Sequence, residues 1–249
     1  MATEQQTQTK KRKHQDNSGR QRKKQKKVRD EEGDLDVELG LNRAFERMDG
    51  QLLADHIAQK TSRFGTDLSP VELSDLYISA NAIRDSTSWQ KPRSLENLPA
   101  FLEAFAGEKE KLDDASKKCG APHTIIVAGA GLRAADLVRA VRKFQKKGMP
   151  VAKLFAKHFK LEEQASFLNK TRTGIAVGTP QRLIDLIEND ALSLEDLRRI
   201  VVDASHIDQK KRGILDMRET MMPLAKLLSR AEFKERYADP DRHVDLIFY

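Results

Sequence analysis

The chain has 249 residues, 39% of them apolar and 33% charged, with a formal net charge of +7. Typical shares are about 45–50% and about 25%, so polar sequence dilutes the core, and the length suits one domain with tails or two small ones rather than a two-lobed motor. The longest apolar stretch, Ile125 to Leu132, is far below the roughly 18 residues of a membrane span. The leading MATEQQTQTKKRK has no apolar secretory core, and the single cysteine, Cys119, leaves no internal disulfide to form. The expectation is an intracellular chain in a reducing compartment, with no membrane partner.

The positive charge is concentrated at one end. Residues 1–29 hold 11 Lys/Arg against two Asp/Glu, while residues 30–249 hold 34 against 36. Two clusters supply the excess: Lys10, Lys11, Arg12 and Lys13, then Arg22, Lys23, Lys24, Lys26 and Lys27. Between Met1 and Lys27 there is no Leu, Ile, Val or aromatic residue, so no burial offsets the entropy of ordering, and residues 1–34 are expected to form a disordered basic tail. Clusters about ten residues apart fit a bipartite signal for a nuclear import receptor, and the same charges would neutralise RNA or DNA phosphates by counterion release. A solubilising arm is the plain alternative.

Residues 35–120 are expected to be a helical extension. Leu41, Phe45, Met48, Leu52, Leu53 and Ile57 recur at helical spacing, which predicts a helix from Leu39 to about Lys60 despite Gly50. Ser69-Pro70-Val71-Glu72 places a capping serine, a first-turn proline and a third-position glutamate, the signature of a second helix. A third is predicted from about Pro99 to Lys118, with Phe101, Leu102 and Phe105, stopping at Gly120. Trp89, in the loop before it, is either a stacking platform or a packing anchor.

From residue 121 to 249 the pattern alternates. Strands are predicted at His123–Ala128, Val151–Ala156, Gly174–Gly178, Arg199–Asp203 and His243–Phe248. Helices are predicted at Arg133–Lys147, Leu161–Lys170, Pro180–Asn189 and Gly213–Arg230, the last interrupted by Pro223. Apolar strands separated by helices imply an α/β fold, a three-layer sandwich around a single, mainly parallel sheet.

Three strand ends could carry chemistry, because open α/β sheets bind ligands there. Gly129-Ala130-Gly131-Leu132-Arg133-Ala134 formally matches a dinucleotide fingerprint, but the segment that should offer a ribose-binding acid reads Lys153-Leu154-Phe155-Ala156-Lys157-His158. An NAD(P)-binding protein is therefore a minor alternative. Thr179 and Arg182, around Pro180, stand at a helix N-terminus suited to an anion. Ile200-Val201-Val202-Asp203 is a buried strand ending in a carboxylate, followed by Ala204, Ser205 and His206.

Thr-Pro-x-Arg-Leu-x-x-x-Ile, followed by a strand ending in Asp, resembles the first RecA-like domain of DEAD-box RNA helicases. That resemblance implies RNA-phosphate contact at Thr179 and Arg182, offers Arg133 for a further nucleic-acid contact, and makes Asp203-Ala204-Ser205-His206 the counterpart of the magnesium-binding box. The departures are large. No G-x-x-x-x-G-K-[ST] loop exists, residues 99–120 being expected as charged helix where it should lie, and Ala204 replaces the glutamate that orients water. A second lobe, which such an enzyme needs, is not expected either.

The phrases Leu76-Tyr77-Ile78-Ser79-Ala80-Asn81-Ala82-Ile83-Arg84, Gly178-Thr179-Pro180-Gln181-Arg182-Leu183 and Asp245-Leu246-Ile247-Phe248-Tyr249, behind a lysine-rich tail, look like the fungal Cms-one family over residues 30–249. The resemblance implies a degenerate, non-catalytic helicase-like factor of the U3-containing 90S pre-ribosome (small-subunit processome). It further implies nuclear and nucleolar location, with pre-rRNA or U3 small nucleolar RNA and processome proteins as partners. No cofactor, metal or small-molecule substrate is expected; a single-lobe RNA-dependent ATPase is the competing reading.

Overall fold

The computed structural model describes residues 33–108, 110–156 and 159–249. The two basic clusters, Lys10 to Lys13 and Arg22 to Lys27, lie outside the described residues. A small antiparallel pair, β1 (Leu35–Asp36) and β2 (Leu41–Asn42), opens the described chain. Three helices follow: α1 (Gly50–Phe64), α2 (Pro70–Asp75) and α3 (Leu98–Ala104). Then come β3 (Thr124–Val127), α4 (Gly131–Ala140), β4 (Ala152–Leu154), α5 (Leu161–Lys170), β5 (Ile175–Gly178), α6 (Pro180–Glu188) and β6 (Arg199–Val202). The chain finishes with α7 (Arg218–Leu228), α8 (Ala231–Tyr237) and β7 (Asp245–Phe248).

The five long-range strands pair in parallel in the order β4-β5-β3-β6-β7. Alternate residues enter two separate cores, as the two-residue period of a strand requires. Ile125, Val127, Ile200, Val202, Leu246 and Phe248 face one, with α1, α5, α6, α7 and α8. Ile126, Val177, Val201, Ile247 and Tyr249 face the other, with α3, α4 and a 3-10 turn at Val141–Phe144. The result is the expected three-layer α/β sandwich around a single parallel sheet. The helical region before residue 120 is split between these same two cores, α1 on one face of the sheet and α3 on the other.

Several predicted boundaries move, each for a local reason. The single helix expected from Leu39 is a 3-10 turn, Arg43–Arg47, and then α1, because the Asp49 carboxylate accepts the Leu52 amide and caps a fresh start. Gly50 is needed there: a Cβ would lie 2.9 Å from the Ala80 carbonyl. The capping box of α2 forms as predicted, with Ser69 and Glu72 exchanging hydrogen bonds. α3, expected to reach Lys118, stops at Ala104; beyond it Glu110 turns inward and anchors an irregular segment to the amino ends of β3 and β6. Trp89 packs edge-on against Phe101 at 5.5 Å, as an anchor. The helix expected from Gly213 begins at Arg218, since the Asp216 carboxylate accepts the Gly213 amide at 2.8 Å and closes a turn instead.

The Glu110 anchor predicts an acid sensitivity. Its side chain is 8% exposed and pairs with the buried Arg199 and, at 3.2 Å, with Arg198. His123 lies 3.9 Å away and shares the Thr124 hydroxyl with Arg199. Burial pushes the His123 imidazole down from 6.5 to about 4. The unfolded chain therefore takes up a proton first, and stability is lost as pH falls from about 6.5 to about 4, by on the order of 3 kcal/mol at ~1.4 kcal/mol per pH unit. Urea melts of wild type and His123→Gln across that window should diverge, the variant losing less. Parallel curves would show that His123 is not the sensitive group.

Candidate functional site

The sheet's connections run one way from β3, to β4 and β5, and the other way to β6 and β7, so the crevice at the carboxyl ends of β3 and β6 is its topological switch point. Asp203 leaves β6 there, its amide bonded to the Val127 carbonyl at 3.0 Å. Arg133, on the first turn of α4, reaches across from the β3 side. Its Nε and Nη2 donate to the two Asp203 carboxylate oxygens, each at 2.8 Å. The pair is sealed, with side chains 9% and 2% exposed. Burial works to lower the Arg133 pKa, but the Asp203 charge and hydrogen bonds outweigh it and hold the group above the ordinary arginine value.

The neighbouring positions are equally occupied. Ala204 and Ser205 are buried, and both amides donate to the Tyr249 carbonyl at 2.8 Å. His206 is half-buried and bridges Leu41 of β2, and burial, followed by the Arg133 charge, lowers its pKa. Gly129 of the fingerprint-like segment serves packing: a Cβ would sit 3.3 Å from the Ile214 Cα. α4 begins immediately beyond, at Gly131.

At the far edge, Ile83 bridges Leu246 in parallel and the Arg84 amide donates to the Leu246 carbonyl at 2.8 Å. A strand-like segment, a loop at 85–97 and helix α3 thus follow one another at this edge, the order of parts that a phosphate-binding loop uses. The stretch 99–120, expected as charged helix, is helical only to Ala104 and irregular beyond it. The loop has no glycine to bare its amides. Arg93 fills its interior, fully buried, with Nη1 donating to the Phe248 carbonyl at 2.6 Å and Nη2 to the Ser86 hydroxyl at 3.1 Å and carbonyl at 3.3 Å. Burial pushes its pKa down to about 10.

Thr179 is the N-cap of α6, with no cap hydrogen bond from its side chain, and follows Gly178, where a Cβ would meet the Leu154 carbonyl at 2.6 Å. Arg182 is half-exposed. Its Nη1 donates to Gln164 Oε1 at 2.7 Å and to the Phe159 carbonyl at 3.1 Å. Gln164, buried on α5 and overlooked in the sequence, in turn donates to the carbonyls of Lys153 and Phe155 at 2.7 and 3.1 Å. Together they blunt the outer edge of β4, which would otherwise offer unpaired carbonyls.

Magnesium and a nucleoside triphosphate, implied by helicase likeness, do not fit these residues. Both Asp203 oxygens are spent, Ala204 has no base to offer, and Arg93 fills the loop that would wrap phosphates. Among the described residues, no group of three or more His, Cys, Asp or Glu side chains is arranged for a metal ion. The crevice is built to stay shut.

A family model described as CMS1, U3-containing 90S pre-ribosomal complex subunit, matches residues 2–249. The chain is 80% identical over 222 residues to protein CMS1 of Chaetomium thermophilum, covering 89% of this chain and 88% of that one. It is 30% identical over 197 residues to protein cms1 of Schizosaccharomyces pombe, covering 79% and 69% respectively. Among solved structures it is similar to the yeast DEAD-box splicing factor Prp28, with a TM-score of 0.41 and 18% identity, over 60% of this chain and 31% of that one. A match along nearly the whole sequence, and a relative sharing four residues in five, establish that the chain belongs to the CMS1 family of U3-containing 90S pre-ribosomal complex subunits.

Proposed function

We propose that the chain serves the pre-ribosome as a binding module that neither holds nor splits a nucleoside triphosphate. It engages pre-rRNA or U3 small nucleolar RNA, and neighbouring assembly-factor proteins, in the nucleolus. One observation carries the reading: the carboxylate that would hold magnesium is a bidentate partner of Arg133 inside the fold. Catalysis of phosphoryl transfer rests on metal and positioned charges around the phosphates, and here those positions are occupied by the protein's own side chains. Arg133, offered by sequence as a nucleic-acid contact, belongs instead to Asp203. Thr179, with its unused hydroxyl, and Arg182 stand as the phosphate contacts within the fold. Lys10 to Lys13 and Arg22 to Lys27 add salt-sensitive attraction to RNA and the address for an import receptor.

The test uses the full chain with single-stranded RNA. ATP hydrolysis should stay at background in wild type and in Asp203→Ala alike, and a fluorescent ATP analogue with magnesium should show no saturable binding. Turnover in wild type that Asp203→Ala abolishes would overturn the reading. Deleting residues 1–32 should weaken RNA binding and flatten its salt dependence; an unchanged slope would remove the tail from the RNA contact.

A further inference from the structure

A groove of about 660 Å3 opens where the described chain begins. Leu35 of β1, buried Phe45 and half-buried Met48 give it an apolar floor; one face of α1, carrying Lys60 and Arg63, forms a wall, and Lys211 stands at the rim. Its two carboxylates are already neutralised, Asp216 by Lys60 at 2.5 Å and Asp34 by Arg47. Arg63 and Lys211 are exposed, and among the described residues neither is met by a carboxylate. Two cations without a carboxylate partner, Arg63 with its guanidinium 5.6 Å from the centre of the Phe64 ring, thus flank an apolar trough whose size suits a small-molecule or nucleotide site, typically about 300–1,000 Å3.

Lys211 is held in place at an energetic cost. Its φ is +59°, a left-handed conformation that a side chain bearing a Cβ adopts at roughly 1–2 kcal/mol. Asp208 imposes it: the carboxylate accepts from the amides of Lys210 and Arg212 at 2.8 and 2.9 Å, and from the Arg212 guanidinium at 2.9 Å. Such strain persists only where the surroundings over-determine it, and it gathers at ligand clamps.

We propose that this groove receives one nucleotide of a single-stranded RNA, with its phosphate between Arg63 and Lys211 and its base on the Leu35 and Met48 floor. The inference rests on the RNA-binding reading above and names its site within the fold. Chain length supports the choice of occupant. Lys27 lies seven residues before Asp34, which lines the groove, so it stays within about 25 Å at ~3.5 Å per residue. The cluster Arg22 to Lys27 is thus tethered, seven to twelve residues upstream in sequence, to the chain that lines the groove.

The experiment measures fluorescence anisotropy of a labelled 12-nucleotide oligouridylate with the full chain at several salt concentrations. The double variant Arg63→Gln/Lys211→Gln should bind about 5–10-fold more weakly near 0.1 M salt. Its log–log salt slope should be shallower by about 1.4, two single-strand phosphate contacts at ~0.7 each. Lys147→Gln/Lys170→Gln, which removes the same charge from exposed positions elsewhere, should match wild type. Photocrosslinks from a 4-thiouridine oligomer should map to residues 34–63. Wild-type affinity in the groove variant while deletion of residues 1–32 weakens binding, equal losses in the control pair, or crosslinks confined to residues 1–32 would each overturn the groove. Loss of affinity for a polyglutamate peptide but not for RNA would assign it to an acidic protein and overturn it too. No RNA binding by wild type would bring down the broader reading along with it.

Discussion

Asp203→Asn is expected to lower the unfolding free energy by about 3–5 kcal/mol, read from urea midpoints at constant m-value. The substitution keeps the shape of the side chain and removes its charge. It leaves the Arg133 guanidinium, 9% exposed, as an unpaired cation in the interior, and breaking a buried pair from one side costs about that much. A domain stable by roughly 5–15 kcal/mol loses a large part of its margin. The double variant Arg133→Met/Asp203→Leu should return to within about 1 kcal/mol of wild type, because two apolar side chains of similar volume carry no desolvation penalty. The sign discriminates between roles. A carboxylate kept in readiness for a metal is strained in the metal-free protein, and its amide variant gains stability, the usual trade between function and folding. A gain in Asp203→Asn would mean that the crevice still waits for a cation.

The alternation of strand and helix was legible because it is carried by periodicity. Ile125, Ile126, Val127 and Ile200, Val201, Val202 are buried on both faces, and such runs read as central parallel strands whatever surrounds them. α5 matches its predicted bounds, Leu161–Lys170. α8 has a weaker signal in the sequence, just Phe233 and Tyr237, four residues apart and both buried, within a charged segment. The false continuation of α3 has a different origin. Residues 105–118 look helical in composition, and it is long-range contacts, Arg199 with Glu110, Lys146 with Asp113 and Asp114, and Arg172 with the Ala115 and Ser116 carbonyls, that hold the segment irregular. Chain position failed similarly for the site. That Asp203 ends a strand is visible locally; that Arg133, 70 residues earlier, is aimed at it follows from β3 and β6 being neighbours, a matter of topology. Gln164 left no mark at all in the sequence, since its role is set by two carbonyls on another element.

Arg93→Ala should be about as damaging as Asp203→Asn, a loss of about 3–5 kcal/mol, for two separable reasons. One is hydrogen bonding: the Phe248 carbonyl and the Ser86 hydroxyl and carbonyl lose donors in a place that water does not reach. The other is volume, because the guanidinium lies 6.0 Å from the centre of the Phe101 ring, and truncation leaves a cavity against a core aromatic. Arg93→Met restores most of the volume without the donors and should recover part of the loss; Arg93→Lys keeps a cation but not the planar fork, and should also stay below wild type. If Met equals wild type, the side chain is filler and the hydrogen bonds count for nothing. The same series bears on nucleotide binding. Were Arg93 merely a stopper in an otherwise competent phosphate loop, Arg93→Ala would begin to bind a fluorescent ATP analogue. The glycine-free loop and the Arg133 lock on Asp203 predict instead that the emptied space stays indifferent to it, leaving a weaker protein with no new affinity.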